Sequence, residues 1–228
     1  MPRAGPVRRS GPPIRRRVYG AHHGLASVQQ TRLRLQDVTV TPVGPATLAI
    51  AAGQCVSLAS PSGSGKTRLL RAVADLIEHA GQVYLDGREC NQWEAPAWRR
   101  LVGYLPADSH WWSDRVEDHF ERVDAPWLGA LGLAEAILQR RVDRLSSGQR
   151  QRLALLRLLG NRPKVLLLDE PTANLDPDNA GRVEDLIEGY RLHNGAAVIW
   201  VAHDPAQCLR VASEHFTLSD GALVPVTP

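Results

Sequence analysis

The sequence predicts an α/β protein with a mostly parallel sheet, flanked by helices and carrying an inserted helical subdomain. Three observations point there. Short β-runs alternate with segments of helical spacing along most of the chain. The runs at 55–59, 164–168 and 196–202 are apolar on both faces, as strands buried from two sides must be. The stretch 107–150 breaks the alternation and reads as the insert.

The elements follow in order. Residues 1 to 30 mix Pro, Gly and Arg with little hydrophobic periodicity, a composition that does not fold alone. From Thr31 the pattern is regular. Residues 32–40 alternate and read as a strand, and 46–51 as a second; 55–59 is a short apolar strand running into a Gly/Ser-rich loop. Helical spacing covers 66–78. A hairpin is expected over 81–90, turning at Asp86-Gly87, a dipeptide suited to positive φ. Next come a strand at 101–105, a mainly helical stretch at 116–138, and a helix at 149–159. The β-run 164–168 ends in Asp169-Glu170, and 178–193 is a helix. A buried strand at 196–202 and a helix at 205–213 complete the series.

Composition narrows the function classes. The 228 residues are 43% hydrophobic and 22% charged, ordinary for a soluble globular protein. The apolar runs 165–168 and 196–202 fall far short of the roughly 18 residues of a membrane span. Any membrane role therefore comes through a partner. Cys55, Cys90 and Cys208 are odd in number and far apart, which suits a reducing, cytosolic compartment.

Charge is unevenly placed. Residues 1–36 hold eight arginines and no acid, whereas the remainder carries 19 basic and 24 acidic side chains. The net charge of +3 thus belongs to the amino-terminal arm, and the folded body is acidic, so no nucleic-acid partner is expected for it. The arm reads as a disordered tail or an early start, or else as a lipid- or nucleic-acid-binding arm. Its arginine clusters, 8–9 and 15–17, resemble an export signal, but no apolar segment follows them, so export is rejected.

Ser60-Pro61-Ser62-Gly63-Ser64-Gly65-Lys66-Thr67 follows a strand and opens a helix, the context of a phosphate-binding loop. The glycines let backbone N–H groups curl around an anion, and the helix start adds its positive end. Lys66 supplies a charge for the β- and γ-phosphates, the Thr67 hydroxyl suits Mg²⁺, and Arg68 is placed in the same site. Serine at position 60 departs from the glycine of the G-x-x-x-x-G-K-[ST] pattern. The run Val165-Leu166-Leu167-Leu168-Asp169-Glu170 would deliver two carboxylates to the carboxyl edge of the sheet. Asp169 suits the magnesium shell, and Glu170 a general base or a water-positioning role.

Leu145-Ser146-Ser147-Gly148-Gln149, followed by Arg150-Gln151-Arg152 and an apolar helix, lies 23 residues before Asp169. With the phosphate loop, this resembles the ATP-binding cassette (ABC) ATPases, whose signature is LSGGQ, over about 31–224. The resemblance implies a P-loop NTPase core with a small antiparallel β subdomain and an inserted helical subdomain at about 107–150. It implies binding and hydrolysis of MgATP in a homodimer, with Ser146, Gly148 and Gln149 closing over the nucleotide of the partner copy. It places Asp176 of Ala173-Asn174-Leu175-Asp176 at the dimer seam and makes His203 the γ-phosphate contact. A separate multi-span permease and a site on the cytoplasmic face of the cell membrane are implied too.

The chain departs from the family in three more places. Ser147 stands for a signature glycine, and Ala107 for the glutamine that ends the strand before the insert; Asp108 or Ser109 substitutes, or coupling differs. Thr41-Pro42-Val43 occupies the region of the adenine-stacking aromatic ring. Five tryptophans (93, 98, 111, 112 and 127) cluster near the insert, as core filling or, for Trp111 and Trp112, as a partner anchor. A non-transport ATPase acting on ribosomes or DNA, supported only by the basic arm, is the competing function. A cassette that hydrolyses poorly is a third.

Overall fold

The computed structural model describes residues 30–226. The basic arm and the readings attached to it lie outside the described residues. Strand β1 (Thr31–Val40) keeps the predicted alternation, with Leu33, Leu35, Val38 and Val40 buried. It pairs antiparallel with β2 (Val43–Ala51) on one side and with β4 (Ala80–Leu85) on the other. Asp86 and Gly87 both take positive φ, 50° and 82°, and turn β4 back into the two-residue β5 (Arg88–Glu89). This four-stranded sheet has the order β2-β1-β4-β5.

The second sheet has the order β10-β9-β3-β8-β7-β6. Strands β3 (Cys55–Leu58), β6 (Val102–Leu105), β7 (Val165–Asp169), β8 (Ala197–Val201) and β9 (Glu214–Ser219) pair in parallel. Strand β10 (Ala222–Val226) closes one edge antiparallel. The Gly44 N–H donates to Gly221 O at 2.8 Å and ties the two sheets together.

The two-sided apolar runs now have a physical explanation. Val165 and Leu167 of β7, with Ile199 and Val201 of β8, face one core with helix α1 (Lys66–Val73) and the antiparallel sheet. The alternate residues Leu166, Leu168, Val198 and Trp200 face a second core. Helices α4 (Ser147–Gly160) and α5 (Pro177–Asn194) cover that face. Each fully buried leucine contributes about 2 kcal/mol of transfer free energy. The sheet is therefore rigid where its carboxyl edge carries the polar loops.

Four expectations are corrected. Helix α1 stops at Val73 instead of 78, because Asp75 turns to φ 55° and its carbonyl is taken by the Arg99 guanidinium. The strand expected at 101–105 begins at Val102, since helix α2 (Ala95–Leu101), with a proline in its first turn, runs directly into it. The stretch 116–138 holds only one α-helix, α3 (Ala125–Ala130), between 3-10 turns at Glu117–His119 and Glu135–Gln139. Gly129 lowers helix propensity there, and Gly132 at φ 66° stops continuation. Finally, helix α6 (Pro205–Val211) leads into the β9–β10 hairpin, a pair absent from the sequence reading.

Candidate functional site

Strand β3 delivers residues 59–65 to the carboxyl edge of the parallel sheet, and α1 starts at Lys66. Gly63 and Gly65 have φ of 83° and 102°. At Gly65 a Cβ would lie 2.4 Å from Val43 Cγ2, so the loop needs glycine there for packing as well as for backbone. Lys66 is 6% exposed and donates to Ser60 O (2.6 Å) and Pro61 O (3.1 Å), folding its ammonium into the loop. Burial lowers its pKa, while the carboxylates of Glu170 and Asp169 oppose that shift.

Serine at position 60 has a structural role. Its hydroxyl accepts the Leu218 N–H at 2.6 Å and lies 3.1 Å from Thr217 Oγ1. The Ala59 N–H already donates to Phe216 O, so Ser60 Oγ extends the β3–β9 ladder past the end of β3. The side chain is thus engaged by the sheet edge. Ser64 Oγ, by contrast, is buried and has no partner among the described residues. An unpaired buried hydroxyl in a loop of this shape fits a bound phosphate.

Strand β7 carries Asp169 to the same edge, 3% exposed. Thr67 Oγ1 donates to Asp169 Oδ2 at 2.7 Å, and Tyr104 O–H donates to the same oxygen at 3.1 Å. The next residue, Glu170, sits at φ 52°. For a glutamate this left-handed conformation costs about 1 kcal/mol, and it turns the side chain off the strand line. Glu170 Oε1 then lies 2.7 Å from His203 Nε2, at the end of β8. With the proton on Nε2, His203 is the donor. The loop after Glu170 is held by Gln207 of α6, whose amide donates to Thr172 Oγ1 (2.8 Å) and Glu184 Oε1 (2.7 Å).

Of these groups Lys66, Thr67, Glu170 and His203 share one cavity of about 270 Å³, lined also by Pro42, Ser62, Gly63, Gly65 and Arg68, whereas Ser60, Pro61, Ser64 and Asp169 do not line it. Pro42 is the wall where an aromatic ring was missing from the sequence. Ser146, Gly148, Gln149 and Asp176 do not line it. Ser146 instead caps α4: its Oγ accepts the Gln149 N–H at 3.1 Å, and Gln149 Oε1 accepts the Ser146 N–H at 3.0 Å. Ser147 is exposed in the first helical turn, where no glycine conformation is required. Gly148 abuts Leu175 and Asn174 O. Asp176 caps α5, and the Asn179 backbone and side-chain N–H groups hold its carboxyl below the usual range.

A family model described as ABC transporter matches residues 43–173. The chain belongs to the ABC transporter family. The lipoprotein-releasing system ATP-binding protein LolD of Maricaulis maris (strain MCS10) is 35% identical over 206 residues, 80% of this chain and 88% of the relative. ABC transporter I family member 17 of Arabidopsis thaliana is 33% identical over 221 residues, 89% of this chain and 84% of the relative. The fold is that of the ATP-binding cassette MJ0796, solved as a dimer in a post-hydrolysis state bound to ADP and Pi. That match has a TM-score of 0.71 at 23% identity, covering 84% of this chain and 96% of the other. The cassette is therefore a nucleotide-binding subunit of an ABC transporter, with ATPase activity.

Within the cassette, Tyr104 is a site residue that the sequence reading missed. Its only advance signal was its place on the strand that pairs with β7, and the register Tyr104↔Leu167 shows its reach only once the sheet is assembled. Ala107 and Asp108 are exposed, and neither they nor Ser109 line the cavity. Of the tryptophans, Trp98 is fully buried and donates to Val73 O, which is the core reading. Trp112 is 71% exposed.

Proposed function

We propose that the cassette spans 31–224, with 107–150 as its helical subdomain, and works as one of two identical copies facing head to tail. Each copy would hold ATP in the cavity over residues 60–68, and the partner's Ser146, Gly148 and Gln149 would close over it. The observation that supports this most is the separation of the two halves. The phosphate loop has a charged cavity, and the signature helix start has a satisfied, exposed cap that lies outside it. Lys66 would meet the β- and γ-phosphates, and Asp176 would lie at the seam.

Mg²⁺ would be held by Thr67 and Asp169, hard-oxygen side chains that the Thr67 Oγ1–Asp169 Oδ2 hydrogen bond already brings together, and would neutralise phosphate charge there. Among the described residues no cluster of three or more His, Cys, Asp or Glu side chains suits a metal. A magnesium ion that takes its other ligands from phosphate and water agrees with that. Glu170 would orient the attacking water and accept its proton, and His203 would fix the Glu170 carboxylate and reach the γ-phosphate.

No helix of the described residues is long and apolar enough to cross a membrane. A separate multi-span permease would supply the pathway, and the cassette would sit peripherally on the cytoplasmic face of the membrane. Trp112, exposed at the rim of a groove with Arg99, Arg122 and Arg157, is the proposed anchor for that partner. Purification of tagged protein from membranes tests this. A multi-span protein is expected with the parent and depleted with Trp112→Ala, at equal ATPase activity of the isolated subunits. Equal recovery with both would remove Trp112 from the interface, and no multi-span partner would remove the permease.

A further inference from the structure

Asp169 has two oxygens and an unequal set of partners. Oδ2 accepts from Thr67 Oγ1 at 2.7 Å and from Tyr104 O–H at 3.1 Å, whereas no donor among the described residues reaches Oδ1. A carboxylate terminus turns easily about its last torsion, with broad minima. Two donors from separate elements, α1 and β6, fix that torsion and fix which oxygen is spoken for. The topology makes the contact possible. β6 runs parallel to β7 with Tyr104 opposite Leu167, and residues two apart on a strand share a face, so Tyr104 and Asp169 lie on the same side of the sheet.

We propose that Tyr104 is a positioning residue: its hydroxyl commits Asp169 Oδ2 to the protein and leaves Oδ1 for the cation and its water. The inference rests on the reading of Thr67 and Asp169 as the magnesium pair. It also answers what polar group β6 contributes where Ala107 offers none. A phenol is an O–H donor at neutral pH, so the contact is a hydrogen bond given by Tyr104 to Asp169 Oδ2.

Tyr104→Phe removes one oxygen and keeps the ring, so the packing of β6 persists. The test is the affinity of full-length protein for a fluorescent ADP analogue, titrated with Mg²⁺ from none to saturation, beside the melting temperature. Loss of one hydrogen bond to a carboxylate should raise the Mg²⁺ midpoint about two- to tenfold. Nucleotide affinity without Mg²⁺ should stay unchanged, and the melting temperature should stay within about 4 °C. An unchanged midpoint overturns the proposal, and so does an equal loss of affinity with and without Mg²⁺. Asp169→Asn separates the two ideas: it should abolish the Mg²⁺ response. If Asp169→Asn keeps that response, the magnesium pair itself is wrong, and the role of Tyr104 falls with it.

Discussion

The two ends of the nucleotide machinery are built differently. At the carboxyl edge of the parallel sheet, Lys66, Thr67, Asp169, Glu170 and His203 are held by backbone, by one another and by a cavity wall. At the start of α4, the side chains of Ser146 and Gln149 close a cap between themselves, outside that cavity. The first region has charge and shape enough to bind a ligand alone. The second has an anion-friendly helix start and nothing in its own chain to receive. A site divided in this way fits the proposed assembly of two copies.

The largest expected break falls in the first region. Glu170→Gln keeps the side-chain shape but removes the proposed base, and turnover should fall on the order of 10²- to 10³-fold, read in a phosphate-release assay. Nucleotide affinity should remain near that of the parent. Lys66→Ala should act one step earlier and abolish binding of the fluorescent nucleotide. Parent-like uptake would contradict its role in the cavity. In the second region, Gly148→Asp puts a carboxylate where the partner's phosphates would approach. A Cβ there would lie 2.9 Å from Leu175 Cδ2, the end of a side chain that must turn aside, and 3.3 Å from Asn174 O, so the melting temperature is measured beside turnover; an acid otherwise suits the first helical turn. Turnover should drop about a hundredfold while the single chain still binds nucleotide, so the two regions separate by binding against catalysis.

Much of this division could be read along the chain, because it rests on local signals. The strand–loop–helix at 55–73 and the apolar run into Asp169-Glu170 are contiguous, and so is the Ser146–Gln149 cap. What stayed hidden depends on distant partners. Tyr104 meets Asp169 across 65 residues, and Ser60 meets Leu218 across 158. In the insert, helix signals failed because Gly129 and Gly132 divide a stretch too short to propagate. The Asp220-Gly221 turn carries the same dipeptide as Asp86-Gly87, yet its strands show little burial, so alternation gave no cue.

The smallest effect sharpens the account of the first region. Ser60→Ala leaves the Leu218 N–H without its acceptor at a cost of about 1 kcal/mol, a fall of about 2–4 °C in melting temperature by calorimetry. Nucleotide affinity should hold, since the serine hydroxyl faces the sheet. A loss of affinity without a loss of stability would put Ser60 on the nucleotide instead.

Mixing two inactive proteins tests the divided site most directly. Lys66→Ala lacks a phosphate loop and Gly148→Asp lacks a signature, yet a pair of one each holds a single intact composite site. Equimolar mixing should restore ATP hydrolysis well above the sum of the separate proteins. Activity that stays at that sum, while sedimentation shows the mixed pair has formed, would contradict a site shared between chains.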